Sequence, residues 1–193
     1  MSLAEGERLA WRLFEAVETG DLAAVQAAVA DGASVMQEFC GQEPLHLASM
    51  HGHLDIAQWL HSAGASLDAT DNQGGTPLHT ACSKGHLDIA QWLHSAGASL
   101  NATHTSDGYT PLHNACCQGR LEIAQWLCSA GADATLKTNG GETPAQLLQR
   151  RARTLQLDQQ ALRSTLACLV RRAQAQGLLP NTIAPPPRRW RST

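Results

Sequence analysis

Two residue pairs in this 193-residue chain have the spacing of metal ligands, His79-x-x-Cys82 and His113-x-x-Cys116. An imidazole and a thiolate three positions apart on a helix make half of a tetrahedral zinc site. The context argues against that use. Each pair sits at the same register of a recurring segment, which a single metal site would not require, and no closing set of four ligands is visible. The six cysteines include no Cys-x-x-Cys pair. Several recur inside apolar helical segments, where a thiol packs as a small hydrophobe. Local catalytic patterns are missing as well: there is no Gly-x-Ser-x-Gly, no glycine-rich loop before Lys-Ser/Thr, and no His-Glu-x-x-His. No catalytic, cofactor-binding or metal-binding residue is therefore nominated, and no cofactor is expected.

The segments that carry these pairs repeat. The string LDIAQWLHSAGASL occurs unchanged from Leu54 to Leu67 and from Leu87 to Leu100, and LEIAQWLCSAGAD runs from Leu121 to Asp133. Ahead of each copy stands Pro-Leu-His, at Pro44, Pro77 and Pro111, and Pro144 continues the series. The prolines step by 33, 34 and 33 residues. Each unit reads as turn, short helix, turn, longer helix and loop. Thr76 and Thr110 suit an N-cap, and the proline after each suits the first helical position, where its missing N–H costs nothing. Gly85 and Gly119 are expected to end the short helix, and Gly64, Gly97 and Gly131 the longer one. Ile56, Trp59, Leu60 and Ala63 form one apolar face at helical spacing. So short a helix pair cannot bury its own face, and the units must stack.

Period and motif together resemble the ankyrin repeat, over about residues 7–145. The resemblance implies an all-α solenoid of about five helix-turn-helix units with turn or hairpin fingers. The expected units are about 7–36, 37–69, 70–102 and 103–136, with a helical capping unit at 137–176. Residues 1–176 then form one domain, and 177–193 a proline- and arginine-rich tail expected to be disordered. The first unit is degenerate, with Leu13-Phe14 in place of Leu-His, and the second has Glu43 where threonine is expected. The resemblance also implies a structural hydrogen bond for each motif histidine, and it makes Cys82 and Cys116 replacements of a small core alanine. Trp59, Trp92 and Trp126 recur at a position that is normally variable, as either a packing device or a binding stripe.

Hydrophobic residues make up 43% of the chain, so a packed core is expected. No apolar run is long enough to span a membrane, and the first residues lack an apolar signal core. A soluble chain of cytoplasm or nucleus is the expectation, with reduced cysteines. The net charge of −3 is unevenly spread. Residues 1–142 hold 5 Lys/Arg and 16 Asp/Glu, whereas residues 143–193 hold 9 Lys/Arg and only Asp158. An acidic body suits basic or mixed partners and argues against a nucleic-acid groove along the repeats.

The resemblance places partner binding on the turn tips and on the inner face of the first helices. Mapped here, the tips offer Phe39, Gln42, Asn72, Gln73, Ser106, Asp107, Tyr109, Asn139 and Glu142. The helix face offers Met50, His51, Ser83, Lys84, Cys117 and Gln118. Phe39 and Tyr109 either stand out as anchors or fold back over their own turns. The expected function is a non-enzymatic protein-interaction module, monomeric, acting as scaffold, adaptor or inhibitor. Two alternatives rest on the C-terminal region. One is a ubiquitin-ligase substrate adaptor, since Ala161-Leu162, Val170 and Ile183–Pro187 faintly resemble a SOCS box, although Leu166 stands where a cysteine is usual. The other is binding to nucleic acid or a membrane surface through the C-terminal arginines.

Overall fold

The computed structural model describes residues 3–155 and 157–177. Helices alternate there between two rows. The first row holds α1 (Leu3–Thr19), α3 (Pro44–His51), α5 (Pro77–Lys84), α7 (Pro111–Cys117) and α9 (Pro144–Ala152). The second holds α2 (Leu22–Ala30), α4 (Leu54–Ser62), α6 (Leu87–Ser95), α8 (Leu121–Ala130) and α10 (Gln159–Ala175). Each first-row helix packs on its own second-row partner and on its neighbours in the row, so the units stack in sequence order. Residues 178–193 lie outside the described residues, and so do the tail and the proline-rich part of the SOCS-box likeness.

The first-row helices begin where their prolines allow. Thr76, Thr110 and Thr143 hold extended backbone at the N-cap, and proline follows directly. Glu43 takes the same place in the second unit with the same extended backbone, so α3 starts in register without threonine. Gly52 and Gly85 end α3 and α5 in the left-handed region, at φ 84° and 103°, which strongly favours glycine.

Stacking buries what one unit cannot. Leu78, Ile89, Leu93, Leu112 and Leu127 are fully buried between rows and between units. A side chain of this size contributes roughly 1.5–3 kcal/mol when removed from water. Cys82 and Cys116 are also fully buried, as small core residues. At the far end Asp158 caps α10, its carboxylate accepting from the Ala161 N–H at 2.7 Å. Leu162, Leu169 and Ala173 bury the α10 stripe, with Leu166 packed partly buried against the core.

Arg163 and Arg171 are exposed, whereas Arg172 is half-buried. Its guanidinium donates to the carbonyls of Gly131 at 2.7 Å and Ala132 at 3.2 Å. These lie at the end of α8, where carbonyls lack intrahelical partners.

Candidate functional site

The motif histidines set the geometry on which the fingers stand. In each, Nδ1 accepts the backbone N–H of the helix N-cap: Glu43 to His46 at 3.3 Å, Thr76 to His79 at 3.1 Å, Thr110 to His113 at 3.2 Å. The opposite nitrogen, Nε2, then donates to a carbonyl of the next finger. The acceptors are Gly75 at 3.0 Å, Tyr109 at 3.1 Å and Glu142 at 3.3 Å, each directly before the next N-cap. One neutral ring thus ties its own helix start to the following unit. Burial pushes the pKa of all three below the usual imidazole range, His79 to about 4. With both nitrogens occupied, His79 and His113 have no lone pair to offer a metal beside Cys82 and Cys116.

A second set of links was not foreseen. His53 and His86 donate from Nε2 to the carbonyls of Glu18 at 3.2 Å and Met50 at 3.0 Å, and Arg120 donates from Nε to Ser83 at 3.2 Å. Each side chain lies over the glycine that ends the preceding first-row helix. A Cβ on Gly52 would come within 2.7 Å of the His86 ring. The signal was available in the recurring Gly52-His53-Leu54, Gly85-His86-Leu87 and Gly119-Arg120-Leu121.

Held this way, the fingers after α4, α6 and α8 join at their tips. Gln73 accepts through its carbonyl from the Thr105 N–H at 2.9 Å, and Asp107 from the Asn139 N–H at 2.8 Å. The Asn139 amide also donates to the Ser106 carbonyl at 3.2 Å. The extra residue of the third finger is accommodated between His104 and Tyr109, closed by a 2.8 Å bond. Backbone is consumed in these links while side chains are left outward. Among the residues nominated for binding, Phe39, His51, Asn72, Gln73, Lys84, Ser106, Gln118 and Asn139 are exposed. Gln42, Met50, Ser83, Asp107, Tyr109, Cys117 and Glu142 are half-buried.

A shallow groove of about 160 Å³ gathers Gln42, Met50, Ser83 and Lys84 with Asp71 and His104. A second cavity, about 210 Å³, lies between Cys117, Leu147, Arg150, Arg151 and Thr154. His51 and Gln118 line neither. Tyr109 folds back: its ring centroid is 5.7 Å from that of His113, and burial, then the neighbouring Cys117 thiol, raises its hydroxyl pKa. Phe39 stays 43% exposed. Glu142 is engaged by Arg150, whose Nη1 donates to both carboxylate oxygens at 3.0 and 3.2 Å. Such a surface, polar, stepped and rigid, can make hydrogen bonds and ion pairs with another macromolecule. Among the described residues there is no group of three or more histidine, cysteine or acidic side chains placed to hold a metal ion. No described helix is long and apolar enough to cross a membrane.

Trp59, Trp92 and Trp126 are half-buried along the second row. What two of the indoles meet is a histidine of the preceding unit: His61 lies 6.0 Å from Trp92 and His94 6.0 Å from Trp126, both edge to face. That geometry favours packing over a free aromatic stripe.

Comparison with known proteins follows the same frame. Residues 13–104 match the family described as ankyrin repeats (3 copies), and residues 102–148 that described as ankyrin repeats (many copies). The chain is similar to protein phosphatase 1 regulatory subunit 27 of Homo sapiens, 44% identical over 63 residues, 32% of this chain and 41% of that protein. It is also similar to GA-binding protein subunit beta-2 of Mus musculus, 41% identical over 69 residues, 36% of this chain and 16% of that protein. The chain therefore spans less than half the length of these relatives.

Proposed function

This chain belongs to the ankyrin-repeat family, and from that premise we propose that it is a non-enzymatic module that binds a protein partner through its finger tips and the adjoining first-row helix face. The observation that carries the reading is the tip-to-tip hydrogen bonding of three successive fingers, which holds exposed Asn72, Gln73, Ser106 and Asn139 on one rigid edge. Side chains presented on a fixed scaffold lose little freedom on binding, which favours affinity. Two of the similar proteins are named as subunits, which is in keeping with a role inside an assembly. All six thiols are free, as a reducing compartment such as cytoplasm or nucleus requires.

The test is affinity capture with the full chain, followed by measured binding of the protein retained. Gln73→Ala and Ser106→Ala are expected to weaken it, the stronger of the two by about 2 kcal/mol or roughly 30-fold, as hot-spot truncations do. Gln91→Ala, on the exposed side of α6, serves as control and should bind as the wild type does. A partner that ignores both finger variants but loses affinity with Gln91→Ala would place binding on the second row and reject the proposal.

A further inference from the structure

The first finger differs from the other three. All the large apolar side chains left exposed among the described residues belong to it or to the helix beside it: Trp11 at 57%, Met36 at 59% and Phe39 at 43%. They are organised. Phe39 packs edge to face on Trp11, with ring centroids 5.8 Å apart, and lies 5.2 Å from Phe14 beneath. The loop that holds it is a tight reversal, with Phe39 N–H donating to Gln42 at 2.9 Å and Gln42 N–H returning to Phe39 at 3.1 Å. Cys40 inside it adopts φ 51°, the one non-glycine residue with positive φ among those described.

Acidic residues outnumber basic ones in the chain around these rings: Glu38 and Glu43 flank Phe39 and its reversal, Glu7 and Glu15 flank Trp11, and Arg8 and Arg12 are the cations of α1. Glu38 stands where the second finger has Asp71. The Asp71 carboxylate accepts from the backbone N–H of Gln73 at 2.9 Å and of Gly75 at 2.7 Å, holding its own turn. The Glu38 carboxylate makes no such bond and is exposed. Glu43, on the other side of the reversal, has a buried Oε2 with no hydrogen-bond partner, and burial followed by the charge of Glu38 raises its pKa. Glu7 and Glu15, one helical turn to either side of Trp11, are exposed on the same face of α1. The nearest arginine in sequence, Arg12, is turned to Asp31 at 2.9 Å.

An exposed indole in an acidic neighbourhood is suited to receive a cation, and the adjoining apolar surface a hydrocarbon side chain. We propose that the first finger and α1 form a docking surface for a partner segment that presents arginine or lysine next to an aliphatic or aromatic residue. Trp11 offers its ring face to the cation, the exposed Glu38 carboxylate meets its charge with Glu43 behind it, and Phe39 with Met36 takes the apolar neighbour. The carboxylates repel the phosphates of nucleic acid and of acidic lipid, which leaves polypeptide as the occupant. This inference rests on partner binding through the fingers and names one finger and the chemistry it selects.

Selection of displayed random peptides on the full chain tests it, with the selected peptides then synthesised and their affinities measured. Expected are sequences in which Arg or Lys adjoins an aliphatic or aromatic residue. Trp11→Ala/Phe39→Ala should weaken them about 30-fold and the isosteric Glu38→Gln/Glu43→Gln about tenfold at low salt, the latter loss shrinking as salt screens the charges. Bound peptide should also slow alkylation of the exposed Cys40 thiol. The amide variant should melt as the wild type does, since the carboxylates keep their shape, and Trp11→Ala/Phe39→Ala should stay folded while melting somewhat lower, because Phe39 covers Phe14. The proposal is overturned if no peptide is selected, if the selected peptides lack a basic residue, or if they bind both double variants undiminished. Peptides that instead lose affinity with Gln73→Ala would remove this surface and leave binding through the other fingers standing.

Discussion

A single imidazole carries more of this architecture than any apolar side chain of its size. His79 has 1% of its surface exposed, and it satisfies the buried N–H of Thr76 and the carbonyl of Tyr109 at once. Removing the ring strands the Thr76 N–H, leaves the Tyr109 carbonyl with the His104 N–H alone and opens a cavity in the core, and an unpaired buried group by itself costs about 1–3 kcal/mol. His79→Ala is therefore expected to lower stability by roughly 3 kcal/mol in chemical denaturation. A loss no larger than that of an exposed alanine substitution would show that water replaces the ring and that the clamp is incidental. The thiols divide by the same logic of burial. Burial raises the pKa of Cys82 and Cys116, and that of Cys128 to about 12, with Cys168 beside it a further cause. An alkylating reagent should modify the exposed Cys40 first and reach Cys82 and Cys116 only on unfolding, as peptide mapping of a time course would show. Early labelling of Cys82 would contradict the packing described for α5.

Across elements, the three clamps act in the same direction with pH. In an unfolded chain each histidine takes up a proton near pH 6.5, whereas the native state keeps His79 neutral down to about pH 4 and also lowers His46 and His113. Between those values the unfolded state binds more protons, so stability is complete above about pH 6.5 and falls as pH drops toward 4. The His79 contribution over the whole window is roughly 3 kcal/mol. The urea midpoint should thus be lower at pH 5 than at pH 7.5, and the drop should be smaller in His79→Gln. A midpoint that holds or rises on acidification would reverse the assigned protonation states.

These elements were also where the sequence was most readable. Proline at the first helical position, glycine beyond the last and the near-identical second helices mark boundaries within the chain itself. What stayed hidden lies between units. The reach of His86 to Met50, of His61 to Trp92 and of Phe39 to Trp11 joins residues about thirty apart. A periodic pattern says that such residues recur, not which neighbour they touch. Tyr109 shows the limit within one unit: its turn position is legible, but whether the ring stands out or lies on His113 depends on the finger's closure.

For the whole molecule, stacking leaves a seam. Buried side chains fall into two clusters, one from Leu13 to Ala65 in the first two units and one from Leu78 to Leu169 in the remaining three. Leu67 and Trp92 are partly buried and pack against both. In a solenoid, where each unit contacts only its neighbours, cooperativity passes through such interfaces, and weakening one lets the sides unfold separately. The seam is still bridged by polar links, from His46 to Gly75 and from His86 to Met50, but their individual contributions are about 1 kcal/mol. Truncating Trp92 removes the larger of the two apolar side chains that pack on both clusters. Trp92→Ala should therefore do more than destabilise. Its unfolding transition should broaden, with a smaller apparent dependence on denaturant, and the fluorescence of the remaining tryptophans should no longer track the loss of helix measured by circular dichroism. Trp126→Ala is the matched control, because that indole packs within the larger cluster and its loss leaves the seam intact. It should lower the midpoint while the transition stays sharp. If both variants unfold in single coincident transitions, the two clusters behave as one core and the seam carries no energetic meaning.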